Sequence, residues 1–323
     1  MSAASELAVT IFILLLAALI ARVYSRYQRD IRQACQRISV GSQVVETACG
    51  PIEYAIAGEG PPVLVVHGAG GGYDQGLDIT EELVQKGFRV IAMSRFGYLR
   101  TPLPEDASAT AQADAHACLL DALNITRAAV LGASAGAPSA VQFALRHPER
   151  TSALLLMVPA IWAPRPESTP PVQSLRGPIF LFDIALRSDF LFWAAIRLAR
   201  KAMIRGILGT PPEVVESAST EEQARVAQVL DHILPVNPRR LGLLNEAAVL
   251  TSLPRYELEQ ISAPTLIMSS ADDLYGTFAG AKYSAEHIPH ARFIGYPTGG
   301  HMGVGHQQEV AAEMAAFLHG TGT

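Results

Sequence analysis

Cysteine is scarce: the 323 residues hold three, Cys35, Cys49 and Cys118, with no C-x-x-C spacing. An odd count without paired spacing, in a chain large enough to need no staple, suits a reducing compartment. A basic excess is lacking too. The chain carries 25 Lys and Arg against 30 Asp and Glu, a net charge of -5, which argues against a nucleic-acid or polyanion-binding role. No H-E-x-x-H occurs and no histidines stand at metal-ligand spacing, so neither a metal nor another cofactor is expected. Internal repeats are absent, and low complexity is confined to the Pro-rich "APRPESTPP". With 49% hydrophobic residues the chain can bury one large core.

The first 37 residues differ in kind. "LAVTIFILLLAALIA" is uncharged, and Arg22, Arg26, Arg29, Arg32 and Arg37 follow it. A signal peptide would carry its positive charge before the apolar run and a small-residue cleavage site after it. The order here instead predicts a membrane anchor, with Arg22 reaching back to the interface. Basic residues after the segment favour a cytoplasmic catalytic domain. The body itself is more acidic than the whole, so the anchor and its arginines would have to bring it to an anionic membrane.

Beyond residue 38, "SQVVETA" and "IEYAIAG" read as a hairpin, and apolar strands then alternate with helical stretches, which predicts a mostly parallel sheet flanked by helices. The expected units are the anchor at 1–37, an α/β core at 38–158 and 263–323, and a helical lid at 159–262. Within the lid, "PIFLFDIALR" and "FLFWAAIRLARKAMIR" read as helices, the second capped by Ser188 or Asp189 and carrying a basic face of Arg197, Lys201 and Arg205. Thr210-Pro211-Pro212-Glu213 has the spacing of a capping box that starts a third.

The sequence "RAAVLGASAGAPSAV" places Ser134 between Gly132 and Gly136, after an apolar β-type run and before an Ala-rich helical stretch. A strand that turns sharply into a helix exposes such a serine and tolerates little side-chain bulk around it. A serine hydroxyl needs a base, and the base a carboxylate. Asp273 follows the strand "PTLIMSS", and His301 follows the next one. Asp272 reads as a solvated turn or cap, His306 as a surface residue and Ser139 as helix. The glycine loop at 68–72 matches neither phosphate-binding pattern and suits an oxyanion site, with His67 bracing it.

On these motifs the chain resembles the α/β-hydrolase superfamily over about 41–318, apart from the middle insertion. "VVHGAGGG" is similar to its H-G-x-G loop, "GASAG" to its elbow, "PTLIMSSADD" to its acid turn and "GGH" to its histidine turn. The resemblance implies an α/β-hydrolase fold with the lid before the acid-bearing strand, a triad of Ser134, Asp273 and His301, and oxyanion donors at the N–H groups of Ala69 and Ala135. Two departures stand out. Ser270 replaces the glycine of the acid turn, and Ser94-Arg95-Phe96-Gly97-Tyr98 replaces the usual D-x-R-G-x-G. Tyr73, Phe96, Tyr98, Trp162 and Trp193 are the candidates for the substrate pocket. The activity expected is cleavage of a lipophilic carboxylic ester at a membrane, with no nucleic-acid partner. The resemblance also allows carbon–carbon hydrolysis of dienoic ketoacids, acyl transfer, perhydrolase chemistry or a non-catalytic ligand-binding role.

Overall fold

The computed structural model of the protein describes residues 3–164 and 186–322. Helix α1 (Ala3–Ser39) precedes a hairpin, β1 (Gln43–Thr47) and β2 (Gly50–Ala57). Strand β3 (Pro62–Val66), helix α2 (Tyr73–Gln85), strand β4 (Arg89–Met93), helix α3 (Ala109–Ala122), strand β5 (Ala128–Ala133), helix α4 (Ala137–Arg146) and strand β6 (Thr151–Met157) follow. The second part of the core is β7 (Thr265–Ser270), α10 (Thr277–His287), β8 (Arg292–Tyr296) and α11 (Gln307–Gly320).

The eight strands form one sheet in the order β1-β2-β4-β3-β5-β6-β7-β8. β1 and β2 pair antiparallel, as do β2 and β4, and the remaining neighbours are parallel. The central strands read as continuous apolar runs because helices cover both faces of the sheet, and Val63 to Val66 and Val130 to Leu131 are fully buried.

Between β6 and β7 lies a helical cap: α5 (Asp189–Leu198), α6 (Arg200–Ile207), α7 (Pro212–Ser217), α8 (Thr220–His232) and α9 (Arg240–Thr251). The lid helix read in "PIFLFDIALR" lies outside the described residues except at its last two positions. Ser188 caps α5 by accepting from the Leu191 N–H at 3.3 Å. The long helix expected next is two helices, broken at Ala199, where φ -129° and ψ 41° leave the helical region. The break turns α6 back onto the cap, where Ile204 joins Val226 and Leu230 in one apolar cluster. Thr210 does not cap α7. Its hydroxyl donates to the Leu208 carbonyl and accepts from the Met302 N–H. Two residues of the basic face are paired, Arg197 with Asp231 and Asp30 and Lys201 with Glu216.

Cys49 and Cys118, expected to be free, are joined as a disulfide that ties the β1–β2 turn to α3, with Cα atoms 6.0 Å apart. A link across 69 residues leaves no local spacing by which sequence could announce it.

Helix α1 changes character along its length. Residues 6–26 are exposed, and the helix is long and apolar enough to cross a membrane. From Tyr27 onward it packs on the cap: Ile31 is buried in the same cluster as Phe192 and Trp193, and Asp30 accepts from Trp193 Nε1 at 3.0 Å and from Arg197. Arg37 donates to the carbonyls of His232 and Leu234 and pairs with Asp74. The anchor unit at 1–37 therefore divides, and its second half serves the folded domain. A chain beginning at Ser25 is expected to keep the stability of that domain, whereas one beginning at Ile38 should lose about 3 kcal/mol or more, from the uncovered Ile31 seat and the lost Arg37 partner. Urea unfolding of the two chains measures the difference, and equal midpoints would contradict the docked role of residues 27–37.

Candidate active site

The site is built on one crowded turn. Ser134 leaves β5 at φ 49°, a left-handed conformation that β-branched residues avoid and that a serine adopts only where its surroundings enforce it. Packing enforces it here. A Cβ at Gly136 would lie 2.4 Å from the Val66 carbonyl oxygen and 2.6 Å from that of His67, and one at Gly132 would lie 2.6 Å from the Cβ of Ala140. Only glycine lets α4 begin this close to β3 and β5.

Ser134 Oγ stands 2.8 Å from His301 Nε2, and His301 Nδ1 stands 2.8 Å from Asp273 Oδ2. Asp273 is buried, and burial alone would raise its pKa. Hydrogen bonds from His301, Thr277 Oγ1 and the Tyr275 N–H outweigh that and hold the carboxyl below its ordinary value. An ionised carboxylate only accepts, so Nδ1 carries the proton and Nε2 is left to accept from the serine hydroxyl. The three residues expected to act together are thus brought into one hydrogen-bonded chain.

Asp272 does more than stand in solvent. Its carboxylate accepts from the N–H groups of Gly300 at 2.7 Å and Gly299 at 3.2 Å, which fixes the turn that carries His301. Ser139 faces the buried His116 at 3.1 Å, and His306 stacks on Tyr296.

The glycine loop is fixed from below. His67 Nε2 accepts from the Arg95 N–H at 3.0 Å, so Nδ1 holds the hydrogen and donates to the Gly68 carbonyl at 2.7 Å. Burial lowers the His67 pKa well below its ordinary value, and the Arg95 charge adds to this, so the ring stays neutral. Gln75 accepts from the Gly68 N–H at 2.8 Å. The Ala69 N–H has no acceptor among the described residues, and Ala69 and Ser134 line the same cavity. Farther along the loop, Arg239 donates to the Gly71 carbonyl at 2.6 Å and pairs with Asp74. Burial opposes ionisation of Asp74, but Arg239 and Arg37 together keep its pKa far below the ordinary range.

That cavity holds about 880 Å³. Its lining includes the aliphatic side chains of Met157, Val158, Leu208, Ile233 and Met268. Tyr275, edge-on to His301 with ring centroids 4.9 Å apart, also lines it. The lining also holds five carboxylates, those of Asp78, Glu81, Glu82, Glu221 and Glu222. Its arginine and one histidine meet carboxylates. Arg225 is held by Glu222 through two nitrogens, and His232 Nδ1 lies 2.6 Å from Asp78.

None of the five aromatic pocket candidates lines this cavity. Tyr73 donates its hydroxyl to the carbonyls of Arg37 and Val40. Phe96 is buried under α3, and Tyr98 donates to Glu246 and packs edge-on against His67. Trp162 meets Tyr283, and Trp193 is sealed under α1. Large rings bury the most apolar area and settle where the polar tip finds a partner, which here is the frame around the site. The aliphatic lining carries no motif by which sequence could mark it. Gln75, Arg95, Arg239 and Glu246 were likewise unmarked, although Arg95 stands in the loop whose departure from the superfamily pattern is plain.

The model of the alpha/beta hydrolase fold family matches residues 61–305. The chain belongs to the α/β-hydrolase family. Among curated relatives it is 28% identical over 246 residues to an uncharacterised hydrolase of Bacillus subtilis, covering 74% of this chain and 84% of that one. It is also 28% identical over 249 residues to a 2-hydroxy-6-oxononadienedioate/2-hydroxy-6-oxononatrienedioate hydrolase of Paraburkholderia xenovorans, covering 69% and 75%. Among solved structures, a bacterial membrane phospholipase A superposes with TM-score 0.64 over 98% of both chains at 20% identity, a likeness of fold.

With Ser134 as nucleophile, Asp273→Asn should lower kcat by about 10³-fold or more, because the amide favours the wrong imidazole tautomer. Asp272→Asn should cost about tenfold through a looser His301 turn. Steady-state hydrolysis of p-nitrophenyl acetate separates them, and equal losses would contradict the assignment.

Proposed function

We propose that the protein is a membrane-anchored serine hydrolase that cleaves a lipophilic carboxylic ester through an acyl-enzyme. The observation that carries this reading is the hydrogen-bonded chain Ser134–His301–Asp273, whose serine and histidine line a cavity of about 880 Å³ that is partly aliphatic. Ser134 Oγ attacks the ester carbonyl while His301 Nε2 takes its proton and Asp273 stabilises the imidazolium. The oxyanion meets the N–H groups of Ala69 and Ala135. The tetrahedral adduct collapses as His301 returns the proton to the departing alcohol, and water then repeats the sequence on the acyl-enzyme.

Carbon–carbon hydrolysis is the second reading, favoured by the Paraburkholderia relative. A dienedioate carries two carboxylates, and a site for it calls for free cations. Among the described residues of this cavity the arginine, Arg225, is taken by Glu222, and five carboxylates belong to the lining. That balance supports a neutral substrate.

The anchor is supported by the exposed apolar half of α1. The side of the membrane is where the charge pattern and the structure part company. The arginines after the segment favour the cytoplasm, and Arg22, Arg26, Arg29 and Arg32 stay on the flank although Arg37 is folded into the domain; against them, a Cys49–Cys118 disulfide forms in an oxidising compartment. We therefore assign the domain to the oxidising side. Thiol titration of the denatured, unreduced protein from its native membrane should find Cys35 alone, and three thiols would return the domain to the cytoplasm.

If the aliphatic wall receives the acyl chain, each added methylene contributes up to about 0.8 kcal/mol, a rise of a few-fold in kcat/KM per carbon until the wall ends. p-Nitrophenyl esters of two to twelve carbons test this, together with an ω-carboxylate member of equal length, which should be slower by tenfold or more. A profile that falls from acetate onward, or a faster carboxylate, would reject the lipophilic ester.

A further inference from the structure

We infer that Arg95 is a positioning residue for the oxyanion site, holding the two donor-bearing segments in register and tying them to the seat of cap helix α9. The inference rests on the proposed roles of Ser134, Ala69 and Ala135. Arg95 is buried, and its fork is divided. Nη1 donates to the Ala135 carbonyl at 3.1 Å, and Nη2 donates to the Gly68 carbonyl at 3.1 Å and to Glu246.

The consequence follows from peptide geometry. In a planar trans peptide the C=O of one residue and the N–H of the next point in opposite directions. The Gly68 oxygen is drawn to Arg95 and to His67 Nδ1, so the Ala69 N–H on the same plane points the other way, on the loop that borders the cavity with Ser134. The other arm of the fork holds the carbonyl of Ala135, whose own N–H is the second proposed donor. One rigid planar group thus spans the glycine loop and the elbow. A charged donor on the Gly68 carbonyl also polarises that amide and strengthens its N–H.

The far side of Arg95 belongs to the cap. Glu246 projects from α9 and is buried, and Tyr98 donates to its second oxygen at 2.5 Å. α9 rests on the same loop, with the Gly242 N–H donating to the Gly97 carbonyl at 2.9 Å and the Leu99 N–H to that of Pro238 at 2.8 Å. A shift of α9 pulls on Glu246, hence on Arg95 and on both donor segments. The cap helix and both donor segments therefore share one buried hydrogen-bonded network.

Lysine keeps the charge and the Glu246 pair but cannot span three acceptors. Arg95→Lys should lower kcat for p-nitrophenyl butyrate by about tenfold or more, with KM within about twofold, because misaimed donors weaken the transition state rather than ground-state binding. The inhibition constant of butylboronic acid, which forms a tetrahedral adduct on a serine, should rise in parallel. Glu246→Gln keeps one oxygen to accept from Arg95 but loses the charge and the second acceptor that Tyr98 uses, and should shift both quantities in the same direction, by about threefold. If Arg95→Lys does not fold, Glu246→Gln decides alone. Variants that lose thermal stability while kcat and the boronate constant stay at wild-type values would assign Arg95 to packing only and overturn the inference. A fluorophosphonate adduct mapped on the wild type separates the two levels. An adduct away from Ser134 overturns the proposed site and this role with it, and an adduct on Ser134 with unchanged Arg95→Lys kinetics overturns the role alone.

Discussion

Between β3 and the start of α4 there is no room for a side chain. The Val66 carbonyl would meet a Cβ at position 136 at 2.4 Å, so the turn after β5 forms only with glycine there and with Ser134 in the left-handed region. That constraint settles the rest of the site. It lifts the serine out of the sheet plane toward the cap, leaves the backbone of Ala135 beside the glycine loop, and fixes where a histidine turn must arrive. Strain of this kind costs of order 1–3 kcal/mol and persists only where neighbours over-determine it. Here the fully buried strands β3 and β5 supply that rigidity.

Around the turn, buried charge organises the loops. Asp74 sits between Arg37 of α1 and Arg239 of the cap, and Arg239 continues to the Gly71 carbonyl. Arg95 sits between Glu246 and the carbonyls of Gly68 and Ala135. Buried pairs add little net stability, but removing one partner is costly, so these networks serve better as registers than as glue. Two such networks join helix α1, the cap and the glycine loop. The docked half of α1 and the glycine loop are therefore tied through the same buried charges.

Legibility in the sequence followed chemistry. The elbow, the acid turn and the histidine turn are short, and each places its residue at the end of an apolar strand, so Ser134, Asp273 and His301 could be named together. The alternation of strands and helices gave the sheet class for the same reason. The five aromatic residues could not be placed, because a ring is drawn equally to a pocket and to the frame around it, and Trp193 and Tyr98 went to the frame. The break at Ala199 left no mark because alanine favours helix and only the turn of α6 onto α8 requires it. Cys49 and Cys118 meet only because the β1–β2 turn and α3 are neighbours in space, which no spacing encodes. Arg95 lay in view, in a loop that departs from the superfamily pattern, but its three acceptors come from distant segments.

The covalent step is the part of this account that most needs direct observation. A slowly deacylating ester such as p-nitrophenyl pivalate, mixed with the wild type, quenched in acid and digested, should yield one peptide heavier by the acyl group, containing Ser134, and none from Ser134→Ala. Turnover with no acylated peptide at any quench time, or the acyl group on another residue, would contradict the acyl-enzyme mechanism.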